Sequence, residues 1–388
     1  MAYYFFGESV KDANTAAVNW RQKVTNEPDY ISALEDLEAE SEWVTVSPLE
    51  NRNELVLVPA ETGDYLKFAE SIPEEEFREA AGDSEYCGAV AKMSGDYRLI
   101  SPIATKTFTQ CIKLSGTALD RMSNEDRVDC FQKAVNVSDS IKILVRKGHV
   151  MAFHQEKTYA VMEASVLARK LYESLERQFG TVRFGGGYVM NNMTTSTYIL
   201  EDYKDTFEDT FQRYLSMIRM DTQLPIDYTP AVCFRTSDTA DYQVSVRPVL
   251  VTSKGPVYLG GIKEIRHDYR GGSAPWDEYD DALSSLTDTF DHMVNMIEGA
   301  VAKTTDDPKA TAEEWIKQIN KKSVLIPDVI VGHARPELER LKKPANLFDV
   351  WLILTACITK GMEQRKYGEH AQTYNQSLLA KKLDEISK

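Results

Sequence analysis

Positively charged and aromatic residues are concentrated in the middle of this 388-residue chain. Between residues 235 and 270 there are six lysines and arginines against four aspartates and glutamates, although the whole chain has a net charge of −15. Cations neutralise phosphates and aromatic rings stack on unpaired bases, which is how sheets hold single-stranded nucleic acid. The candidate contact residues are Lys142, Arg146, Arg235, Tyr242, Arg247, Lys254, Tyr258, Lys263, Arg266 and Arg270. They predict a nucleic-acid-binding surface, and the alternative is an ordinary solvated strand face with surface tyrosines.

The strands that carry these residues decide whether they act together. Side chains alternate between the two faces of a strand, so Lys142 and Arg146 should share one face. By the same rule Arg247 is expected on the face opposite Val244 and Val246. If the strands align, the cations and rings lie on one common, open side of a sheet.

Histidines and carboxylates form a second set of candidate positions. His149 and His154 lie near Glu156, and two imidazoles with a carboxylate could bind a metal ion. At a spacing of five, however, the histidines share neither a helical face nor a strand face. No phosphate-binding loop, nucleophile elbow or dinucleotide fingerprint is present in the sequence. We therefore expect no catalytic residues, no metal and no cofactor. The alternative, an enzyme with an unfamiliar site, would require His149, His154 and His267 to converge with acidic side chains in one pocket.

The acidic charge is concentrated at the start of the chain. Residues 1–90 contain 20 acidic and 6 basic residues, whereas the remaining 298 contain 40 and 39. Like charges repel phosphates, but the nearly neutral body weakens that objection to a nucleic-acid partner. We expect an acidic N-terminal module at 1–90, a mixed α/β core with antiparallel strands at 91–270 and a helical region at 271–388.

Periodicity and turn residues predict an α+β fold, with a central, mostly antiparallel sheet flanked by helices and a helical C-terminal third. Strands are expected at 141–147, 194–200, 231–236, 242–252 and 257–265. Helices are expected at 7–45, 203–220, 276–300, 310–321, 346–366 and 369–386. In the helix at 276–300, apolar residues alternate at spacings of three and four, as in a seam suited to self-assembly. The glycines at 185–187 indicate a tight turn or a bulge.

The sequence contains no recognisable targeting or membrane signal. Its start lacks a basic region followed by a sustained apolar core. The longest apolar run, from Leu347 to Ile358, contains Asp349 and is shorter than the roughly 20 residues that a bilayer span needs. The five cysteines show no Cys-x-x-Cys spacing and are expected to be buried thiols. A cytoplasmic protein with no membrane partner is therefore expected.

One family resemblance follows from the order of several segments. These are the run 145–153, the helix ending at 180, the glycines, the strand at 194–200, the segment 234–238, the strands up to 267 and the segment 346–351. This order, over about residues 140–360, resembles a family of phage/plasmid-like proteins of unknown function. The resemblance implies a role in DNA replication, recombination or counter-defence in a bacterial host. Together with the cations and rings described above, it predicts an accessory of DNA metabolism that binds single-stranded nucleic acid, with annealing or recombination as candidate activities. It equally leaves open a non-enzymatic structural or interaction protein, such as a capsid subunit in the virion, a scaffold or a host-defence inhibitor.

Overall fold

A computed structural model describes residues 21–205, 229–240, 242–252, 255–257, 263–267, 274–320, 327–365 and 369–388. The predicted α+β class is confirmed, since several antiparallel sheets precede a mostly helical C-terminal region. The described strands are β1 (Arg21–Val24), β2 (Ser41–Val46), β3 (Val56–Pro59), β4 (Ala89–Met93), β5 (Asp96–Leu99), β6 (Ile141–Arg146), β7 (His149–Gln155), β8 (Val182–Met190), β9 (Thr194–Leu200), β10 (Thr229–Thr236), β11 (Val244–Thr252), β12 (Gly255–Val257), β13 (Lys263–Ile265), β14 (Thr304–Thr305) and β15 (Ala345–Asn346). The described helices are α1 (Glu27–Ala39), α2 (Glu74–Gly82), α3 (Pro102–Cys111), α4 (Asn124–Val135), α5 (Ala164–Phe179), α6 (Pro275–Ser284), α7 (Leu286–Val301), α8 (Pro308–Asn320), α9 (Pro327–Arg340), α10 (Leu347–Arg365) and α11 (Glu369–Ser387).

The main sheet has the strand order β1-β8-β9-β10-β11, and both β12 and β13 pair with β11. All of these pairings are antiparallel. One face supplies Tyr198, Val232 and Phe234 to the largest core, which also contains apolar residues of α1, α5, α6 and α7. The other face supplies Ile199, Ala231 and Cys233 to a separate buried cluster, so both faces of the central strands are covered.

The three glycines lie inside β8 and form a bulge. The register with β9 shifts between Phe184 and Gly186, and a Cβ atom on Gly187 would lie only 2.6 Å from the Thr195 carbonyl oxygen. Of the two structures that the glycines indicated, the bulge is therefore the one that forms.

Two smaller sheets lie beside the main one, with the orders β2-β6-β7 and β3-β4-β5. A parallel bridge between Ile100 and Val150 connects them. Helix α3 packs against β7, where the Phe153 N–H donates to the Thr107 hydroxyl at 3.2 Å. This contact fixes the end of β7 beside the end of α3.

Strands within residues 21–90 pair with strands outside that range. Strand β1 pairs with β8 in the main sheet, and β2 pairs with β6. The expected boundary at residue 90 also falls within β4. The expected helix at 7–45 is wrong where β1 and β2 occur, and residues 7–20 lie outside the described residues.

The C-terminal helices follow the predicted bounds closely, with one exception. Helices α8, α10 and α11 confirm the helices expected at 310–321, 346–366 and 369–386. The expected single helix at 276–300 is instead two helices, α6 and α7, which meet at Ser285. Most of the helix expected at 203–220 lies outside the described residues. Within the described part of the chain, no helix has the length and apolar character needed to cross a bilayer.

The apolar seam of α6 and α7 is buried inside the chain. Tyr279, Leu283, Phe290 and Ile297 are buried in the largest core. These side chains stabilise the fold, so in this state they are not a surface on which a second copy could dock.

Candidate nucleic-acid interface

Arg146 does not belong to an open basic face. Only 2% of the residue is exposed. Its guanidinium forms an ion pair with Asp238 and donates to the Ser41 hydroxyl at 2.8 Å and the Asn191 carbonyl at 2.6 Å. The prediction of a common open side is therefore wrong for Arg146, because its charge is satisfied inside the fold.

Arg235 and Arg247 are also buried, with 8% and 3% exposure. The Arg247 guanidinium forms an ion pair with Glu264 at 3.2 Å and donates to the Ser245 hydroxyl at 2.5 Å. The Arg235 guanidinium lies 4.9 Å from the centre of the Tyr242 ring, which is a cation–π contact. The expected open basic face is wrong for these two arginines as well.

The other seven candidate residues have different positions. Lys142 is half-buried on β6, opposite His154 of β7. The backbone of Lys263 belongs to β13, and its side chain is outside the described part. The residues Lys254, Tyr258 and Arg270 lie outside the described residues. Tyr242, which is half-buried, and Arg266, which is exposed, come together at one cleft.

The cleft has a volume of about 330 Å³ and lies where α3 and β7 meet the main sheet. Four short parts of the chain form it: the end of α3, the end of β7 with the segment after it, the segment before β11 and the segment after β13. The lining residues are Thr107, Gln110, Cys111, Phe153, His154, Gln155, Thr158, Tyr159, Ala240, Tyr242, Gln243, Arg266 and His267. Rings and amides thus predominate in the wall.

Three rings of the cleft are nearly parallel. The rings of His154 and Tyr159 stack with centres 3.8 Å apart and an interplanar angle of 3°. The His267 ring is 5.6 Å from the Tyr159 ring at 14°. The Tyr159 hydroxyl donates to the Asp238 carbonyl at 2.9 Å, and the Ala160 N–H donates to the His267 carbonyl at 2.7 Å. These contacts hold the ring stack between β7 and the main sheet.

Three titratable groups of the wall, His154, Cys111 and Tyr159, are kept neutral near pH 7. Burial, with a smaller contribution from the nearby His267, lowers the pKa of His154 to about 3. Burial raises the pKa of the Cys111 thiol to about 12 and holds the pKa of Tyr159 well above its usual value. Arg266 is the one arginine or lysine among the described lining residues.

The described residues do not bring the three candidate histidines together with acids at the cleft. His149 contacts Glu76, with 2.8 Å between Nε2 and Oε2, and lies five residues along β7 from His154, about 16 Å. The cleft wall contains no carboxylate in the part that the structure describes. Nor does the described chain hold any group of three or more His, Cys, Asp and Glu that could bind a metal ion. The convergence of His149, His154 and His267 that an unfamiliar enzyme would require is therefore not formed.

Comparison of the chain with protein-family models, curated proteins and solved structures finds no match. No residue role is therefore taken from a relative, and the resemblance to phage/plasmid-like proteins stays a prediction.

Sequence reasoning missed part of the cleft wall, in particular Gln155 and Tyr159. Both precede Tyr242 and Arg266 in the chain by more than 80 residues. No local spacing indicates that these segments meet, because it is the tertiary packing of β7 beside the main sheet that brings them together. The sequence signal that did help was the local surplus of cations and tyrosines around residues 242–266.

Proposed function

We propose that this protein binds single-stranded nucleic acid without catalysing a reaction, and that the cleft receives one nucleotide of the strand. The observation that carries the proposal is that Tyr242 and Arg266 line one open cleft together with His154, Tyr159 and His267. A volume of about 330 Å³ is at the lower end for small-ligand sites. It suits a single unpaired unit better than a duplex.

Each type of lining residue has a role in this proposal. Arg266 neutralises a phosphate, and its exposure lets the backbone pass without entering the core. The Arg235 guanidinium lies over one face of the Tyr242 ring, and in this proposal a base stacks on the opposite face. Lys142, opposite His154 on the neighbouring strand, adds a cation near the wall. The proposal also includes four further contact residues on the basis of sequence position alone: Lys254, Tyr258, Lys263 and Arg270.

The biological setting is part of the same proposal. The resemblance to phage/plasmid-like proteins suggests an accessory of DNA metabolism in the cytoplasm of a bacterial host, with annealing or recombination as the process served. The overall charge of −15 means that any attraction to phosphates must come from local cations, since the net charge of the chain repels phosphates.

The rival proposal is a structural or interaction protein, such as a capsid or scaffold subunit or a host-defence inhibitor. Its strongest sequence feature was the seam at 276–300, and those apolar side chains are buried in the chain's own core. Mass measurement of the purified chain in solution distinguishes the two proposals. Large closed assemblies in the absence of nucleic acid would favour the rival.

Fluorescence anisotropy with a labelled 20-mer of thymidine tests the cleft directly. We expect binding at low salt that weakens as salt rises, as phosphate contacts require. The Arg266→Ala variant should weaken binding and reduce the salt slope by about 1. The Tyr242→Leu variant should cost about tenfold in affinity, since stacking contributes roughly 1–3 kcal/mol per base.

The matched control is Arg340→Ala. The Arg340 side chain is 58% exposed on α9 and contacts only the nearby Glu337 among its described ion pairs. The proposal is overturned if the wild-type chain does not bind at low salt, or if Arg340→Ala weakens binding as much as Arg266→Ala.

A further inference from the structure

The side-chain amide of Gln155 has a fixed orientation at the cleft wall. Its Nε2 donates to the Cys111 carbonyl at 2.8 Å and lies 3.5 Å from the Cys111 sulfur. A carbonyl can only accept a hydrogen bond, so the amide nitrogen must face it. The Oε1 atom, which can only accept, is consequently directed away from Cys111.

The Cys111 carbonyl, which accepts from this amide, needs a hydrogen-bond donor from outside its own helix. Cys111 is the last residue of α3, and the final carbonyls of a helix have no partner within the helix. Gln155 satisfies one of them from the end of β7. This amide orientation is therefore set by helix geometry before any ligand binds.

The backbone around Gln155 is equally constrained. Gln155 pairs with Ile141 in the sheet, and the nearby Phe153 N–H is bonded to Thr107 of α3. The Gln155 side chain is half-buried and lines the cleft. An acceptor held in this way needs little reorganisation to bind a donor.

We infer that Gln155 Oε1 is a specificity-determining acceptor, and that the cleft takes a base through an N–H donor on the base edge. This inference rests on the proposed function and deepens it, because it names the chemical feature that the cleft reads. The natural bases all carry an N–H donor, so the predicted preference is for the donor itself and not for one base. A base whose donor hydrogen is replaced by methyl leaves the acceptor unpaired.

The experiment compares two oligonucleotides that differ only in this donor. One is a labelled 20-mer of thymidine and the other is the same length of N3-methylthymidine, so the phosphates and the ring system are retained. With the full wild-type chain at low salt, we expect methylation to weaken binding by about tenfold, the typical effect of an unpaired polar group at a ligand site.

The Gln155→Met variant provides the matched control. Methionine has a similar length but lacks the amide oxygen, so this variant should bind the two oligonucleotides within about twofold of each other. A purely steric effect of the methyl group would persist in Gln155→Met and would overturn the inference. The ratio between the two ligands is measured on the same protein, so a change in the stability of the variant does not mimic the result.

The outcomes also separate this inference from the proposed function. Equal binding of both oligonucleotides by the wild-type chain overturns the role of Gln155 and leaves single-strand binding intact. The absence of binding to either oligonucleotide at low salt overturns the proposed function itself.

Discussion

The Arg146 guanidinium connects three parts of the chain at once. It pairs with Asp238 after β10, and it donates to Ser41 at the start of β2 and to Asn191 between β8 and β9. Arginine suits this position because its planar group presents several donors in fixed directions. A buried cation of this kind is costly to leave unpaired, so its neighbours have to be acids and carbonyls.

Sequence reasoning could place Arg146 on a strand but could not predict its burial. Its partner Asp238 lies 92 residues away in the chain, and nothing in the local alternation of β6 distinguishes a solvated arginine from a paired one. The same holds for Arg247, whose partner Glu264 belongs to β13. Tyr242 and Arg266 were chosen by the same criterion of side-chain type, and they line one cleft because the segments before β11 and after β13 meet there.

His154 makes the stability of the fold depend on pH. Burial lowers its pKa to about 3, and its buried Nε2 has no hydrogen-bond partner among the described residues. The unfolded chain takes up the proton near the ordinary histidine pKa of about 6.5. Stability from this group is therefore complete above pH 6.5 and is lost as pH falls, by about 2 kcal/mol at pH 5.

The measurement is urea unfolding of the wild-type chain and of His154→Phe at pH 7.5 and pH 5. Phenylalanine keeps a ring for stacking on Tyr159 but does not titrate. His149, whose pKa burial also lowers, is present in both proteins and cancels in the comparison. Equal losses of stability between the two pH values in both proteins would contradict this prediction.

At the scale of elements, regular apolar spacing predicted helices well where it was uninterrupted. Helix α10 follows the predicted bounds, and its apolar positions between Phe348 and Cys357 pack into the largest core. The apolar spacing does not reveal the break between α6 and α7 at Ser285, since Tyr279, Leu283 and Phe290 keep helical spacing across it and are all buried. Long-range pairing, such as that of β1 with β8, depends on tertiary contacts that local pattern does not contain.

The start of α10 contains a titratable cap. The side-chain Oδ1 of Asn346 accepts from the Asp349 backbone N–H at 2.8 Å, and the Asn346 Nδ2 donates to the Asp349 carboxylate at 2.8 Å. Burial raises the pKa of Asp349 to about 6, above its unfolded value of about 3.9. The folded chain therefore prefers the protonated acid, and stability from this group falls as pH rises from 4 through 6.

We expect Asp349→Asn to raise the free energy of unfolding by about 1 kcal/mol at pH 7.5 and by little at pH 4, since an amide keeps the cap without the buried charge. Thermal or urea unfolding of the variant and the wild-type chain at both pH values measures this difference in the free energy of unfolding. The control is Asp288→Asn, which removes an exposed acid from the first turn of α7 and should be neutral or slightly destabilising through the helix dipole. A destabilised Asp349→Asn protein at pH 7.5 would show that the charge itself is needed at this helix start.

At the scale of the whole molecule, residues 21–90 are part of every sheet on which the cleft depends. Helix α1 places Tyr30 and Leu34 in the largest core. The Tyr30 hydroxyl lies 2.7 Å from the Thr194 hydroxyl of β9. The Glu38 carboxylate accepts from the Ser165 N–H at 2.9 Å and from its hydroxyl at 2.6 Å, at the start of α5. The acidic segment is thus a structural part of the fold as well as the main source of negative charge.

This arrangement predicts that deleting residues 1–90 abolishes folding and does not simply relieve charge repulsion. The deletion removes β1, α1 and β2 and exposes the core that they cover, so we expect loss of the cooperative urea transition and of near-ultraviolet circular dichroism.

The matched control keeps the chain and removes charge only, by replacing the exposed Glu50, Glu70 and Glu75 with glutamine. That variant has a net charge of −12, from −15 plus 3. It should fold normally. At low salt it should bind the thymidine oligonucleotide more tightly than the wild-type chain does, and at high salt the two affinities should become equal, because salt screens the removed charges. A deletion protein that still unfolds cooperatively would show that residues 91–388 form a core of their own, contrary to the strand pairings of β1 and β2.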